Sequence, residues 1–264
     1  MYTEFRPKHL SHLVEAIWFA DSDVDPDEGH IAPLSLGSQL VIKLYPSDYE
    51  TALSGPVTRQ TYYPFVEGAR YFGVQFAPGV GPAFENVLLK DLKDSSVDID
   101  KVLGIDLNSL AHHIHDVQTW VEQSRLIEKS LRKQYPQQEH FLNHNILFAM
   151  DIAQECKGDI SIYELAAIVG ISRRQLERLF IRYTGVTPKA FCKTLRVQSV
   201  LDRLQQANSA PLAELAKDCG YTDQAHLANE FRQTMGTSIS AYLDANAPVG
   251  SLAASARNRA SSPE

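Results

Sequence analysis

The sequence predicts an α+β multidomain protein: a β-rich amino-terminal region, then an all-α carboxyl-terminal region built on two helix-turn-helix units. Three observations carry this expectation. Short β-branched and aromatic runs, broken by turn-forming clusters, fill residues 1 to about 105. From about 106 onward glycine and proline thin out, and apolar residues fall near helical spacing. The phrase "GISRRQLERLFIRYTG" (170–185) is then echoed by "GYTDQAHLANEFRQTMG" (220–236).

In chain order, "QLVIKLYP" (39–46) and "ARYFGVQFAPG" (69–79) read as strands, and "DSDVDPDEG", "LSLG" and "APGVGP" read as the turns between strands. The stretch 106–133 reads as one helix, with Leu110, Ile114, Val117, Val121 and Ile127 near helical spacing; it is the candidate dimer contact. "QYPQQEH" (134–140) reads as a polar, proline-containing linker. The small, polar tail 246–264 is expected to be disordered. The expected domains are therefore 1–133, the linker 134–140, the helical 141–245 and the tail 246–264.

A content of 44% apolar and 22% charged residues in 264 fits a soluble globular protein. No stretch approaches the roughly 20 apolar residues that span a bilayer, and the opening residues carry no export pattern, so a cytoplasmic location without membrane attachment is expected. Cys156, Cys192 and Cys219 form no CxxC pair, and their odd count argues against a disulfide framework. The net charge of −7 alone argues against nucleic acid, but its distribution does not. Residues 172–203 hold eight basic side chains (Arg173, Arg174, Arg178, Arg182, Lys189, Lys193, Arg196 and Arg203) against Glu177 and Asp202. An acidic half joined to a half with one basic stripe suggests two jobs in one chain.

The echo keeps register. Leu165, Ala166 and Gly170 match Leu215, Ala216 and Gly220 at 50 residues, and Leu176, Phe180, Gly185 and Phe191 match Leu227, Phe231, Gly236 and Tyr242 at 51. In the first copy, Ser161 with Glu164 and Ser172 with Gln175 are candidate capping boxes, and Gly170 suits a left-handed turn. Leu176, Leu179, Phe180 and Tyr183 make the packing stripe, leaving Arg174, Glu177, Arg178 and Ile181 outward, with Arg173 in the first turn. Such side chains can reach base edges and phosphates in a major groove. The second copy starts with Pro211 in a helical first turn and presents Gln224, Ala225, His226, Ala228 and Asn229 instead. Asn and Gln can pair with adenine and Ala can touch a thymine methyl, but phosphate attraction is weaker, and Asp223 and Glu230 are expected to weaken it further. Between the copies, Val197, Val200, Leu201 and Leu204 mark a helix from Pro188 to about Gln206, roughly 28 Å long, close to the ~34 Å between successive major-groove faces.

The pattern "SIYELAAIVGISRRQLERLF", "TGVTPKAF", "LRVQSVLDRL", "LAELAKDCGYTDQAHLANEF", "MGTSISAYL" resembles the DNA-binding domain of AraC/XylS-type transcription regulators over about 159–243. The resemblance implies a sequence-specific regulator that binds double-stranded promoter DNA as a homodimer, with RNA polymerase as a further partner. It assigns DNA contacts to Arg174, Glu177 and Arg178 in the first copy and to Gln224, Ala225, His226 and Asn229 in the second; Arg173 and Arg182 flank the first set. Two positions depart from the family pattern: Asn229 replaces a frequent basic residue, and Ile239 replaces the usual proline, which predicts a looser corner. The segments "HLVEAIWF", "HIAPLSLGSQLVIKL" and "YFGVQFAPGVGPAFENVLLKDLKD" resemble the cupin-like or jelly-roll sensing domains joined to some of these regulators. That implies a small-molecule effector, with Trp18, His30 and Tyr45 as candidate contacts.

Two other classes compete. An effector-independent DNA-binding adaptor would use its β domain only for pairing. A cupin-type enzyme would need a metal or nucleophile site, yet His30 is the one clear ligand-type histidine between 14 and 111, and no GxSxG pattern occurs. The pairs His113/His115 and His140/His144 read as surface or linker residues, so neither a metal site, a cofactor nor an enzymatic activity is expected.

Overall fold

Alternating burial builds the strands. The computed structural model describes residues 2–21, 30–32, 34–63, 66–81, 84, 87–117, 119–134, 143–206 and 211–245. Its strands are β1 (Tyr2–Phe5), β2 (Val14–Asp21), β3 (His30–Ala32), β4 (Gln39–Leu44), β5 (Tyr49–Ser54), β6 (Thr61–Tyr63), β7 (Arg70–Phe76), β8 (Ser96–Asp98), β9 (Lys101–Val102) and β10 (Ile105–Asp106). In β4 every second residue (Leu40, Ile42, Leu44) is buried, as a strand with one core face requires. The main sheet is antiparallel in the order β1-β2-β7-β4-β5-β8, and β3 pairs with β6 in a separate ribbon. The described strands thus bear out a β-rich first region.

The expected single helix over 106–133 is two: α1 (Leu107–His115) and α2 (Trp120–Gln134). The break has a physical cause. The buried Gln123 amide donates to the carbonyls of Ile114 (2.9 Å) and Val117 (2.7 Å), satisfying acceptors that a helix end leaves open. Leu107, Leu110, Ile114, Ile127 and Leu131 pack under the sheet with Ile17, Leu40, Ile42, Phe72 and Phe76. Much of the stripe named as a dimer contact is therefore used inside this chain, although Val121 is exposed.

The remaining helices are α3 (His144–Glu155), α4 (Ile162–Val169), α5 (Arg173–Thr184), α6 (Pro188–Gln206), α7 (Leu212–Asp218), α8 (Gln224–Met235) and α9 (Ile239–Ala245). The chain divides into two compact units, Met1–Leu195 and Arg196–Glu264. Helix α6 has the bounds read from its sequence. The expected linker falls almost wholly outside the described residues, and the tail entirely so. In the first unit, α3, α4, α5 and the start of α6 share a core of Ile146, Leu165, Leu176, Phe180 and Phe191, which Leu36 of the β region joins. Fully burying a side chain such as Leu176 or Phe180 contributes about 1.5–3 kcal/mol.

Candidate nucleic-acid interface

The duplication read from the sequence is a duplication of atoms. The N–H of Ile171 donates to the Ala166 carbonyl at 3.1 Å, and that of Tyr221 donates to Ala216 at 2.9 Å. Gly170, Gly185, Gly220 and Gly236 all sit at positive φ, between +69° and +76°. Behind each of α5 and α8 lies the same edge-on aromatic pair, Phe180–Phe191 at 5.2 Å and Phe231–Tyr242 at 5.7 Å. Ser161 and Glu164 form a complete capping box. The Ser161 side chain, then the Ser161 backbone N–H, hydrogen-bond the Glu164 carboxyl and hold it below its ordinary range. Ser172 accepts from the Gln175 N–H, so α5 has the cap bond without a described reciprocal one. Pro211 stands one residue before α7 rather than in its first turn. The corner at Ile239 is tied down: Ile239 is buried, and the Ser238 hydroxyl accepts from the Ala241 N–H.

On α5 the scaffold fixes which side chains face out. Leu176, Phe180, Tyr183 and Thr184 are buried, leaving Arg173, Arg174, Glu177, Arg178, Ile181 and Arg182 exposed. No ion pair among the described residues engages any of these four arginines. The Arg182 guanidinium lies 5.8 Å from the Tyr183 ring centroid. This outer face forms one side of a groove of about 1060 Å³ within the first unit. The other side comes from Gly81, Phe84 and Val87–Lys90, which include the start of a single 3-10 turn over Leu89–Leu92. Sequence reasoning missed this wall, because its contact with α5 joins residues about 90 apart with no local signature.

On α8 the Asp223 carboxylate accepts from the His226 N–H at 2.7 Å and caps the helix. Gln224, Ala225, His226, Ala228 and Asn229 are exposed, as the spacing predicted. Glu230 corrects the reading. It lies on the inner face, where the Arg196 guanidinium donates to it at 3.0–3.1 Å and the Tyr221 hydroxyl at 3.0 Å. Glu230 therefore spends its charge inside the unit rather than against phosphate. Arg196 and Arg203, counted in the basic stripe, are paired with Glu230 and Asp218. Burial, then the adjacent Glu230 carboxylate, push the Tyr221 hydroxyl well above its ordinary pKa, against the pull of Arg196, so it acts as a neutral donor. The exposed residue that was overlooked is Arg232, which the 51-residue register aligns with Ile181. That register was enough to find it.

Of the effector candidates, Trp18 and Tyr45 come together with Val41, Ala20, Ala69 and Tyr71, in a cluster separate from the main core under the sheet. Trp18 lies across Gly73, its partner on β7, where a Cβ would meet the indole at 1.9 Å. Burial raises the Tyr45 hydroxyl to about 12, with Glu50 and other neighbours adding to the shift. His30 pairs with Tyr63 in the small ribbon, and its side chain lies outside the described residues. His113 binds the Ser109 carbonyl within α1, as a surface residue would, and His140 is outside the described residues. Among the described residues, no three His, Cys, Asp or Glu side chains group as a metal site, and no helix is long and apolar enough to cross a membrane.

Comparison with known proteins agrees with this geometry. Residues 165–245 match the family described as a helix-turn-helix domain, and 3–98 match a domain of unknown function, DUF6597. An uncharacterized HTH-type transcriptional regulator of Haemophilus influenzae is 30% identical over 115 residues, which is 40% of this chain and 38% of that protein. The HTH-type transcriptional regulator GbdR of Pseudomonas aeruginosa is 36% identical over 77 residues, 29% of this chain and 21% of that protein. The chain thus spans well under half the length of these curated relatives. A probable AraC family transcriptional regulator from Rhodopseudomonas palustris is similar at 27% identity, covering 40% of this chain and 100% of the other, with a TM-score of 0.36. Over residues 165–245 the chain is thus similar to the helix-turn-helix domains of HTH-type transcriptional regulators.

Proposed function

We propose that the chain is a sequence-specific transcription regulator of the AraC type, binding double-stranded promoter DNA through α5 and α8. The observation that carries this reading is the set of outward guanidiniums at Arg173, Arg174, Arg178 and Arg182 on a helix whose inner face is locked in a core. Arginine forks match guanine edges and phosphates, and each good base pairing is worth about 1–3 kcal/mol of discrimination. Helix α8, with Gln224, Ala225, His226, Asn229 and Arg232 outward, contributes register and adenine or thymine contacts. The first helix dominates affinity.

In this reading residues 1–133 carry sensing and pairing, and 141–245 carry DNA binding in a homodimer that acts with RNA polymerase in the cytoplasm. The Trp18–Tyr45 face of the sheet takes a small-molecule effector, whose preference for one arrangement shifts populations. The test selects bound fragments from the parent genome, then titrates the best fragment by gel shift. Arg174→Ala with Arg178→Ala is expected to weaken specific binding by roughly 2–6 kcal/mol in total. Unchanged affinity for the selected fragment defeats the assignment.

A further inference from the structure

The groove beside α5 is lined by three cations from the helix and a fourth, Lys90, from the β region, against the single described carboxylate of Glu177. No described acid pairs with any of the four cations. The two walls are held together. The Gly185 position faces the Leu89 backbone, where a Cβ would approach to 2.6 Å, and a Cβ added at Gly81 would come within 2.7 and 2.9 Å of the Tyr183 and Arg182 carbonyl oxygens.

We propose that this groove takes one sugar–phosphate strand of duplex DNA, and that Lys90 is a backbone phosphate contact supplied from outside the helix-turn-helix domain. The proposal rests on α5 being a DNA reader and adds a contact that reading does not contain. Size and charge agree with a single strand. From Ser172 to Arg182 the helical wall runs ~15 Å, so 1060 Å³ leaves a channel roughly 8 Å across. A helix seated in the major groove has a phosphate backbone on either side of it, and the wall at Val87–Lys90 stands across the groove from the Arg174, Arg178 and Arg182 row of α5, so a strand seated there lies between that row and Lys90. Phe84 and Leu89 are buried, so they form a firm wall, whereas Lys90 is exposed.

The test compares the full chain with Lys90→Gln, and with Lys101→Gln as a control outside the groove lining. Binding to a random-sequence duplex and to a selected genomic fragment is followed by fluorescence anisotropy across a potassium chloride series. Losing one phosphate contact is expected to lower the salt slope by about 0.9, so the deficit relative to the native chain changes ~3.5-fold between about 50 and 200 mM salt. The loss is expected to be equal on both duplexes, because a phosphate contact carries no sequence information. An unchanged slope for Lys90→Gln overturns the proposal. So does tighter binding by Lys90→Gln or Leu88→Ala, which makes the wall an obstruction. If the native chain binds neither duplex, the regulator reading itself fails. If Arg174 and Arg178 matter while Lys90 does not, only this inference falls.

Discussion

Replacing Glu230 by alanine separates two roles for a carboxylate on a reading helix. If Glu230 faced DNA, its removal would tighten binding by relieving repulsion with phosphate. In the structure it accepts a forked pair from Arg196 and a further bond from Tyr221, with only 17% and 10% of the Arg196 and Glu230 side chains exposed. Charge-assisted bonds contribute about 1.5–3 kcal/mol each but do not add. Breaking a buried pair costs about 3–5 kcal/mol, because the surviving charge is left uncompensated. Partial solvent contact puts Glu230→Ala near the lower end, about 3 kcal/mol. Exchanging both partners for apolar residues, Arg196→Met with Glu230→Leu, is expected to stay within ~1 kcal/mol of the native chain. Both tryptophans, Trp18 and Trp120, lie in the first unit, so their fluorescence does not report this region. Native-state hydrogen exchange over 212–245 does. A Glu230→Ala chain whose α7 and α8 amides keep protection within about 0.5 kcal/mol of native, while DNA binding tightens, refutes the inward role.

Two further outcomes are expected. Ser161→Ala should cost about 1 kcal/mol of local stability at neutral pH, read by amide exchange in α4. Since the folded Glu164 carboxyl titrates below its ordinary 4.5, its contribution is present above that value and is lost as pH falls through the folded pKa. The gap between native and Ser161→Ala chains should therefore narrow in acid; a gap that widens contradicts the cap. Gly170→Ala meets no atom within 4 Å, so only the left-handed backbone at φ +75° opposes it, at about 1 kcal/mol after the unfolded-state gain. Gly185→Ala carries the same strain and must also displace the Leu89 backbone, so chemical denaturation should show at least about twice that loss. Equal losses at the two glycines would show that the Leu89 contact yields freely.

The features legible in the sequence were those whose causes are local. Ser161 and Glu164 sit three residues apart, Gly170 follows its helix directly, and the packing stripe of α5 repeats within its own turns. The break between α1 and α2 was not legible, because it depends on one amide, Gln123, folding back nine residues to Ile114. The inward place of Glu230 follows from the register, which aligns it with Leu179 of the packing stripe; its charge argues for the outside, and the partner that makes burial tolerable, Arg196, lies 34 residues earlier. Lys90 reaches the groove beside α5 because the main chain at Leu89 presses against Gly185, a tertiary fact with no periodicity. Of the candidate effector contacts, Trp18 and Tyr45 are gathered in one cluster although they are 27 residues apart, while the His30 side chain lies outside the described residues.

The rigidity of each reading unit comes from atoms that never reach its outer surface: N–H groups satisfied by Ser172 and Asp223, left-handed glycines, and a ring pair behind the helix. The outward letters at Arg174, Glu177, Arg178, Ala225, Ala228 and Asn229 are therefore free to be rewritten without renegotiating the architecture. His226 is the exception, since its ring rests edge-on against Tyr221 and its Nδ1 meets the Thr222 hydroxyl. Under the proposed DNA reading, new specificities are within reach of surface edits alone at all of those outward positions, whereas at His226 vocabulary and framework are welded together.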